Sequence, residues 1–464
     1  MGIPYIKPTI PFGTSGNPLA ITESLGFTVA RQYKEGKAKG YKHMGLFTLI
    51  TPHYVPIDTE IIKSIMSKDF NHFSDRGLYY NKEHDPLSGN LFFLAGNKWK
   101  ILRAKLTPTF TSGKMKMMFY LITECSNILC KAMIDYSKYG PIDIKDALNR
   151  FGIDVIGSCA FGINCNSFNN STSDFNEYAK KIFVSSKLQM IKGFFGFMFP
   201  RFAKLLRTRA LPRDATEFFL NTTKQTVEYR KANNVVRKDF LQILIDLMEE
   251  EGGLTIEEVA AQAMVFFLAG FETSSTTATF CLFELCLNPD IQQKLRDEIH
   301  KVSEHHKNVM SYESIHDLTY MDQVINETLR KYPPLAMLNR VCTKDYRIPN
   351  TDIVLQKGTH VVVPLFGLQN DADYFPEPEK FDPKRFSKEN KDKIVPFSYM
   401  PFGEGSRICI GLRFGVMQTK IALTVLLKNY KFSLNKKTIL PLKFDPMGFI
   451  TTPVNPFWLD CQKI

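Results

Sequence analysis

The spacing of apolar and polar residues predicts a mainly α-helical chain with a minor β region. From residue 115 to 332, apolar positions recur with the period of amphipathic helices, for example from Asp239 to Glu250 and from Asp290 to His305. No linker, repeat or low-complexity tract interrupts the chain, so we expect a single large domain over residues 1–464. Short strand-like runs and one hairpin-like turn lie toward the two ends, at 45–50, 352–355, 359–363 and 444–449.

The longest helical pattern begins at Thr255 and ends at Asn288, directly before Pro289. Thr255 and Glu258 have the spacing of a capping box, and a helix of roughly 30 residues is about 50 Å long. Its middle, from Val259 to Phe271, is almost entirely apolar, with Gln262 as the exception. We therefore predict a buried helix that crosses the whole domain.

The same helix becomes polar at 269–277, where an acid and several hydroxyls replace apolar residues. Hydroxyls in a helix can bond the carbonyl four residues earlier, and Gly270 leaves room for a small ligand against the backbone. Two interpretations follow, a functional groove or a solvated and self-satisfied patch. Taken alone, the pattern favours the second.

Composition narrows the class of protein. The chain has 464 residues, 44% of them hydrophobic and 23% charged, which excludes wholesale disorder, collagen-like repeats and a polytopic membrane protein. The net charge of +12 comes without a nucleic-acid-binding motif, so we expect no nucleic acid partner. Nine cysteines without a Cys-x-x-Cys pair favour a reducing compartment over a disulfide framework or a zinc ribbon.

The segment 188–206 combines a phenylalanine cluster, from Phe194 to Phe202, with glycine, proline and flanking basic residues. Such a mixture fits an interfacial membrane contact and fits equally well a phenylalanine cluster folded over the core. No stretch of about 20 uncharged apolar residues predicts a membrane span. The Pro-rich lead-in has no signal-like pattern, so we expect an N-terminal membrane anchor to be absent.

Cys409 is the strongest candidate for chemistry among the cysteines. It stands shortly before a helical run from Leu412 to Lys428, and backbone N–H groups at a helix start favour an anionic sulfur. Gly405 and Gly411 allow the backbone to approach that sulfur. The alternative for any lone cysteine is a small core residue.

The residues Phe402, Gly405, Arg407, Cys409 and Gly411 match the pattern F-x-x-G-x-R-x-C-x-G. This pattern resembles the haem-binding loop of the cytochrome P-450 monooxygenases. The resemblance implies the cytochrome P-450 fold, with the long central helix lying over haem b (iron protoporphyrin IX). It further implies that Cys409 is the axial thiolate ligand, that Arg407 contacts a haem propionate and that Phe402 shields the thiolate side.

Further motifs occur in the order typical of the same family. Glu327 and Arg330 resemble its E-x-x-R helix motif, and Arg385 resembles the arginine that completes this ionic network. Three other residues resemble its donors to the haem carboxylates: Trp99 and Arg103, one helical turn apart, and Arg340.

The polar patch of the central helix resembles the oxygen-activating A/G-G-x-D/E-T segment of the family, which reverses the preference for a solvated patch. The resemblance implies that Thr273 takes part in oxygen activation and that Glu272 relays protons. We expect an apolar substrate pocket for a xenobiotic, steroid, terpenoid or lipid. Its candidate residues are Phe266, Ala269, Leu335, Met337 and Phe449.

Partners and location follow from a resemblance to the insect detoxification and vertebrate drug-metabolising branch. It implies a microsomal enzyme on the cytosolic face of the endoplasmic reticulum membrane. NADPH would supply electrons through a flavoprotein reductase, with cytochrome b5 as a further partner. Lys98, Lys100, Lys105 and Lys420 are candidates for docking an acidic reductase, and ordinary solvated lysines are the alternative.

Two other functions fit parts of the pattern. One is a haem-thiolate isomerase or dehydratase that acts on a hydroperoxide without external electrons. The other is a noncatalytic carrier of apolar ligands. The Glu272–Thr273 pair favours the monooxygenase, because neither alternative needs a proton relay.

Overall fold

A computed structural model describes residues 2–10, 12–14, 16, 23–169, 174–183 and 200–464. The alternatives for Phe194–Phe202 therefore fall almost entirely outside the described residues. The helices are Leu25–Ala38 (α1), Thr59–Lys63 (α2), Gly96–Leu106 (α3), Ser112–Tyr136 (α4), Ile144–Ile156 (α5), Asp174–Phe183 (α6), Pro200–Leu205 (α7), Arg213–Ala232 (α8), Phe240–Glu249 (α9), Ile256–Leu287 (α10), Pro289–His305 (α11), Tyr312–His316 (α12), Thr319–Lys331 (α13), Leu365–Gln369 (α14) and Leu412–Asn429 (α15). The strands are His43–Thr48 (β1), Thr51–Pro56 (β2), Ile142–Asp143 (β3), Leu338–Val341 (β4), Tyr346–Arg347 (β5), Val354–Leu355 (β6), His360–Val363 (β7), Tyr430–Leu434 (β8) and Trp458–Lys463 (β9).

The central helix α10 confirms the prediction from the capping pattern. The Glu258 N–H donates to Thr255 Oγ1 at 3.3 Å, and the Thr255 N–H donates to Glu258 Oε2 at 3.2 Å. The helix ends before Asn288, where Pro289 begins α11. Along its length α10 packs against α5, α8, α13 and α15, which makes it the axis of the largest hydrophobic cluster.

The small sheets lie at the edge of this helical core. Strands β1, β2, β7 and β4 form one sheet in that order, and β8 and β9 pair with β3 in another. The predicted runs at 352–355 and 359–363 enter different sheets, because β6 pairs with β5 whereas β7 lies between β2 and β4. The predicted hairpin near the C-terminus is confirmed by the bridge between Phe444 and Pro453.

Helix α4 is, among the described helices, the one whose length and composition would permit a membrane span. Its inner face is core, since Met118, Ile122 and Leu129 are buried. Its outer face carries charged side chains, and Lys116 forms an ion pair with Glu313. A helix of a globular core passes the same test, so α4 is weak evidence for a membrane span.

Candidate active site

The loop before α15 presents Cys409. The Cys409 N–H donates to the Phe402 carbonyl at 2.9 Å, which closes the loop on itself. Gly403 and Gly405 have φ angles of 72° and 71°, a conformation that favours glycine. A Cβ atom on Gly405 would lie 2.1 Å from the Met66 carbonyl oxygen, so a larger residue would displace the loop.

Cys409 differs from every other cysteine in its surroundings. All nine cysteines lie in described residues, and Cys409 alone is exposed. Desolvation raises the pKa of the Cys409 thiol, while a backbone hydrogen bond from Gly411 and the charges of Arg76 and Arg103 act in the opposite direction. A coordinated metal ion deprotonates such a thiol outright, so the residue fits an axial metal ligand.

Arg407 lies beside this loop with its guanidinium buried. Its Nε donates to the Ser74 carbonyl at 2.8 Å and its Nη2 to the Leu94 carbonyl at 2.9 Å. The nearest carboxylate oxygen, Oδ1 of Asp75, is 3.7 Å from Nη2. The guanidinium carbon stands 3.9 Å from the centre of the Trp99 ring, a cation–π contact. Arg407 is therefore held by neutral groups more than by anions.

Three more arginines surround Arg407. Desolvation lowers the pKa of Arg407 to about 8, of Arg340 to about 9 and of Arg76 to about 10, and neighbouring arginines add to each shift. Desolvation also lowers the pKa of Arg103, which lies near Cys409. We call Arg76, Arg103, Arg340 and Arg407 the arginine cluster.

The arginine cluster fits an anionic ligand. Among the described residues, Nη1 of Arg407 and Nε of Arg340 are buried without a hydrogen-bond partner. Buried cations with unused donors are costly unless charged acceptors complete them. Two carboxylates, as haem b carries, would supply such acceptors. The residues present therefore fit haem, with Cys409 as the ligand to its iron.

The open face of the central helix lies across from this loop. Ala269 is exposed and Thr273 half-exposed, although most of α10 is buried. Helix α15 crosses α10 on both sides of this opening, because the Phe414 ring packs on Phe266 at 5.1 Å and a Cβ on Gly415 would lie 3.5 Å from Ser274 Oγ. The opening therefore faces the start of α15, which follows Cys409 in the chain.

Thr273 and Glu272 point to different neighbours. The Thr273 hydroxyl donates to the Ala269 carbonyl at 2.6 Å, on the open face. The Glu272 carboxylate is buried and accepts a hydrogen bond from Lys145 Nζ at 2.8 Å. Together with Asn149, these charged groups line a cavity of about 290 Å³ between α5, α6, α10 and the C-terminal hairpin.

The predicted pocket residues are dispersed. Phe266 is buried in an aromatic cluster, stacked on Phe240 with 4.4 Å between ring centres, and lies three residues before Ala269 on the same side of α10. Leu335 and Met337 pack against the smaller core cluster beside the first sheet. Phe449 is 60% exposed and borders the cavity next to Glu272.

The predicted ionic network forms as expected. Arg330 Nε donates to Glu327 Oε2 at 2.8 Å and Arg330 Nη2 donates to Glu327 Oε1 at 2.9 Å, both side chains being fully buried. Arg385 Nε lies 3.5 Å from Glu327 Oε1. The network ties α13 to the segment that carries Arg385.

One candidate docking residue is wrong. Lys420 is 4% exposed and pairs with Asp322 at 2.9 Å, because the face of α15 that carries it packs against α13. Lys98 and Lys100 are exposed on α3. Burial removes Lys420 from any surface for a partner protein.

Sequence reasoning missed three residues of the site. Arg76 donates to the Phe92 carbonyl at 3.0 Å and belongs to the arginine cluster, but it lies in a segment without periodicity. Phe92 lies under the Arg76 guanidinium and contacts Phe449 edge to face. Lys145 pairs with Glu272 across 127 residues of chain. The adjacent charges of Asp75 and Arg76 are the local feature of the sequence that could have drawn attention to Arg76.

Fold and site together fit a mainly helical protein in which the Cys409 loop and the arginine cluster would hold haem. The family model described as Cytochrome P450 matches residues 21–459. The chain is 45% identical to probable cytochrome P450 6a13 of Drosophila melanogaster, over 88% of this chain and 83% of that protein. It is 42% identical to probable cytochrome P450 6a14 of the same fly, over 100% and 94%. With cytochrome P450 6A1 of Musca domestica the identity is 40%, over 100% and 92%.

The chain belongs to the cytochrome P450 family. It is therefore an oxidoreductase, a haem-thiolate monooxygenase with haem b as cofactor and NADPH, through a reductase, as the source of electrons. Apolar substrates and association with the endoplasmic reticulum membrane accompany this membership. The similarity to insect P450 6 proteins agrees with the detoxification branch expected from the sequence.

Proposed function

We propose that the whole chain acts as one catalytic domain that oxygenates small apolar molecules in a chamber between α10 and the Cys409 loop. One arrangement carries the proposal: Cys409 lies within electrostatic reach of Arg76 and Arg103, and the helix α15 that follows it packs through Phe414 on Phe266 of α10. Haem b, when bound, supplies the iron at which O₂ is activated.

The residues of the thiolate side hold and tune the cofactor. Cys409 supplies the anionic sulfur, and Phe402 and Gly411 hold it through the backbone of the loop. The arginine cluster, with the Trp99 ring beneath Arg407, binds the two carboxylates. Charge-assisted hydrogen bonds fix the orientation of the macrocycle, since each guanidinium offers several donors in one plane.

Thr273 and Glu272 handle protons and water on the opposite side. The Thr273 hydroxyl lies on the open face, where its oxygen can accept a hydrogen bond while its proton remains with the Ala269 carbonyl. Glu272 stands at the wall of the 290 Å³ cavity, which has room for several water molecules. The ion pair with Lys145 holds the Glu272 carboxylate at this wall, where it can exchange protons with that water.

The substrate chamber consists of apolar surface around Ala269. The residues we propose for its walls are Phe266, Leu335, Met337 and Phe449, with Phe92 in edge-to-face contact with Phe449. Such a lining selects molecules by shape and apolar area rather than by charge. The substrate class we propose is therefore the xenobiotics, steroids, terpenoids and lipids.

The remaining proposals concern location and partners. The catalytic domain lies at the cytosolic face of the endoplasmic reticulum, in contact with the membrane surface. A flavoprotein reductase docks near the exposed Lys98 and Lys100 of α3, the helix that also carries Trp99 and Arg103. Cytochrome b5 is a second electron donor.

The spectrum of the reduced protein under carbon monoxide tests the function. We expect the strongly red-shifted Soret band of thiolate-ligated haem in the wild type and its complete loss in Cys409→Ala, because no other cysteine is exposed. Cys281→Ala is the matched control, since Cys281 is a fully buried cysteine of α10. A red-shifted band that survives in Cys409→Ala, or a colourless folded wild type, would contradict the proposal.

A further inference from the structure

Gln262 is the polar exception in the apolar stretch 259–271 of α10, and it is 1% exposed. Its Oε1 accepts a hydrogen bond from the Leu91 N–H at 2.9 Å. Its Nε2 donates to the Gly89 carbonyl at 3.4 Å and to the Glu258 carbonyl, one helical turn earlier, at 3.2 Å. One amide group thus binds the backbone of the 89–91 segment on both sides of Asn90.

Hydrogen bonds within residues 87–94 stiffen the segment that Gln262 holds. The Asn90 side chain accepts hydrogen bonds from the Phe92 and Phe93 N–H groups, and its Nδ2 donates to the Leu87 carbonyl. The Leu94 N–H donates to the Asn90 carbonyl at 3.0 Å. Residues 87–94 therefore form a compact turn rather than a loose loop.

This turn supplies the acceptors that orient the arginine cluster. The Phe92 carbonyl accepts from Arg76 Nη1 at 3.0 Å, and the Leu94 carbonyl accepts from Arg407 Nη2 at 2.9 Å. Arg76 Nη2 also reaches the Arg407 carbonyl at 3.4 Å. The two guanidiniums repel each other, so their positions depend on these carbonyls more than on ionic partners.

We propose that Gln262 is a positioning residue for cofactor retention: it fixes the 87–94 turn against α10, and the turn aims Arg76 and Arg407 at the haem carboxylates. The inference rests on the proposed function, because it requires bound haem. Loss of the amide would leave the Leu91 N–H and the Gly89 carbonyl buried without partners, and the turn would shift to satisfy them.

Gln292 offers a matched control. It is 2% exposed, its Nε2 donates to the Leu285 and Phe432 carbonyls at 3.0 Å each, and its Oε1 accepts from the Phe432 N–H at 3.0 Å. The burial and the bonding pattern equal those of Gln262, but the segment it holds is β8, which does not touch the arginine cluster. Gln262→Leu and Gln292→Leu therefore remove similar interactions at different places.

The experiment follows the transfer of haem from the ferric holoenzyme to excess apomyoglobin, together with urea unfolding of each holoenzyme. We expect both variants to lose stability, and haem transfer to be at least about tenfold faster in Gln262→Leu but nearly unchanged in Gln292→Leu. Equal transfer rates in the two variants would overturn the inference. A wild type without a red-shifted carbon monoxide band would instead overturn the proposed function.

Gln262→Glu keeps the inference testable if Gln262→Leu does not fold. The carboxylate retains an acceptor for the Leu91 N–H but replaces the donor to the Gly89 carbonyl with a second oxygen. We expect haem transfer between the wild-type and tenfold-accelerated rates, and a smaller effect of Arg407→Leu in this variant than in the wild type, because Gln262 acts through the position of Arg407. Wild-type transfer together with additive effects of the two changes would overturn the inference.

Discussion

Glu327 and the arginine cluster are two places where charge is buried, and their hydrogen bonds differ. Glu327 meets Arg330 through two hydrogen bonds and Arg385 at 3.5 Å, and the Asp382 N–H donates to the same carboxylate at 3.0 Å. Arg330 uses its other donors on the Gln369 and Pro378 carbonyls. Every charged atom of the Glu327–Arg330 pair has a partner within the chain.

The arginine cluster brings positive charges together without equivalent anions. Asp75 approaches Arg407 to 3.7 Å, and Nη1 of Arg407 has no hydrogen-bond partner among the described residues. The lowered pKa values of Arg407, Arg340 and Arg76 reflect the same deficit, because burial and mutual repulsion both oppose the charged form. The fully partnered Glu327–Arg330 pair supports the fold, whereas the arginine cluster, whose cations outnumber nearby anions, marks where a charged ligand belongs.

The largest expected effect breaks the complete network. Glu327→Gln leaves two buried guanidiniums without their carboxylate, and we expect a loss of about 3–5 kcal/mol in the free energy of unfolding. Urea denaturation measures it. Glu60→Gln, which removes an exposed ion pair with Lys63, is the control and should cost less than about 1 kcal/mol. Equal losses in both variants would mean that the network is not a stabilising feature.

The intermediate effect distinguishes the arginine cluster, which lacks anionic partners, from the Glu327 network, which contains its own carboxylate. Arg407→Leu removes a cation that lacks an anionic partner, so we expect the apo-protein to change by less than about 1 kcal/mol, as relieved repulsion offsets lost hydrogen bonds. Haem transfer to apomyoglobin should accelerate by roughly 10- to 100-fold, because charge-assisted bonds to a carboxylate are lost. A loss of apo-protein stability as large as that of Glu327→Gln would remove the distinction between the clusters.

The smallest effect is a dependence on pH. Below pH 8 Arg407 is charged in the apo-protein, and as pH rises through its pKa of about 8 the charge that binds a carboxylate is lost. Haem affinity should therefore fall between pH 7 and pH 9, by less than about tenfold per pH unit. Haem titration of the apo-protein measures it, and Arg407→Leu should show a flatter profile. A rise in haem affinity between pH 7 and pH 9 would contradict this prediction.

The sequence predicted those parts of the site that depend on local rules. The capping box of α10, the glycines of the Cys409 loop and the one-turn spacing of Glu327 and Arg330 each depend on residues close together in the chain. Family resemblance extended these local signals to Trp99, Arg103 and Arg340, which no periodicity distinguishes.

Local rules do not predict which side chains surround a given residue in the folded chain. Phe266 remains a candidate for the substrate pocket, and its stack on Phe240 is known only from the tertiary structure. Lys420 was expected at the surface, but the packing of α15 on α13 buries it. An apolar stripe shows that a helix face is covered and leaves open which partner covers it.

What the sequence determined by itself is the helical architecture and the central helix, and it singled out Cys409 among the cysteines, because capping, periodicity and loop glycines act over a few residues. Tertiary structure alone decided that Arg76 joins Arg407 from 331 residues away and that Lys145 faces Glu272. It also decided that Gln262 binds the turn beneath them. Burial of charge and amide groups depends on atoms from distant segments, and these meet only when the chain has packed.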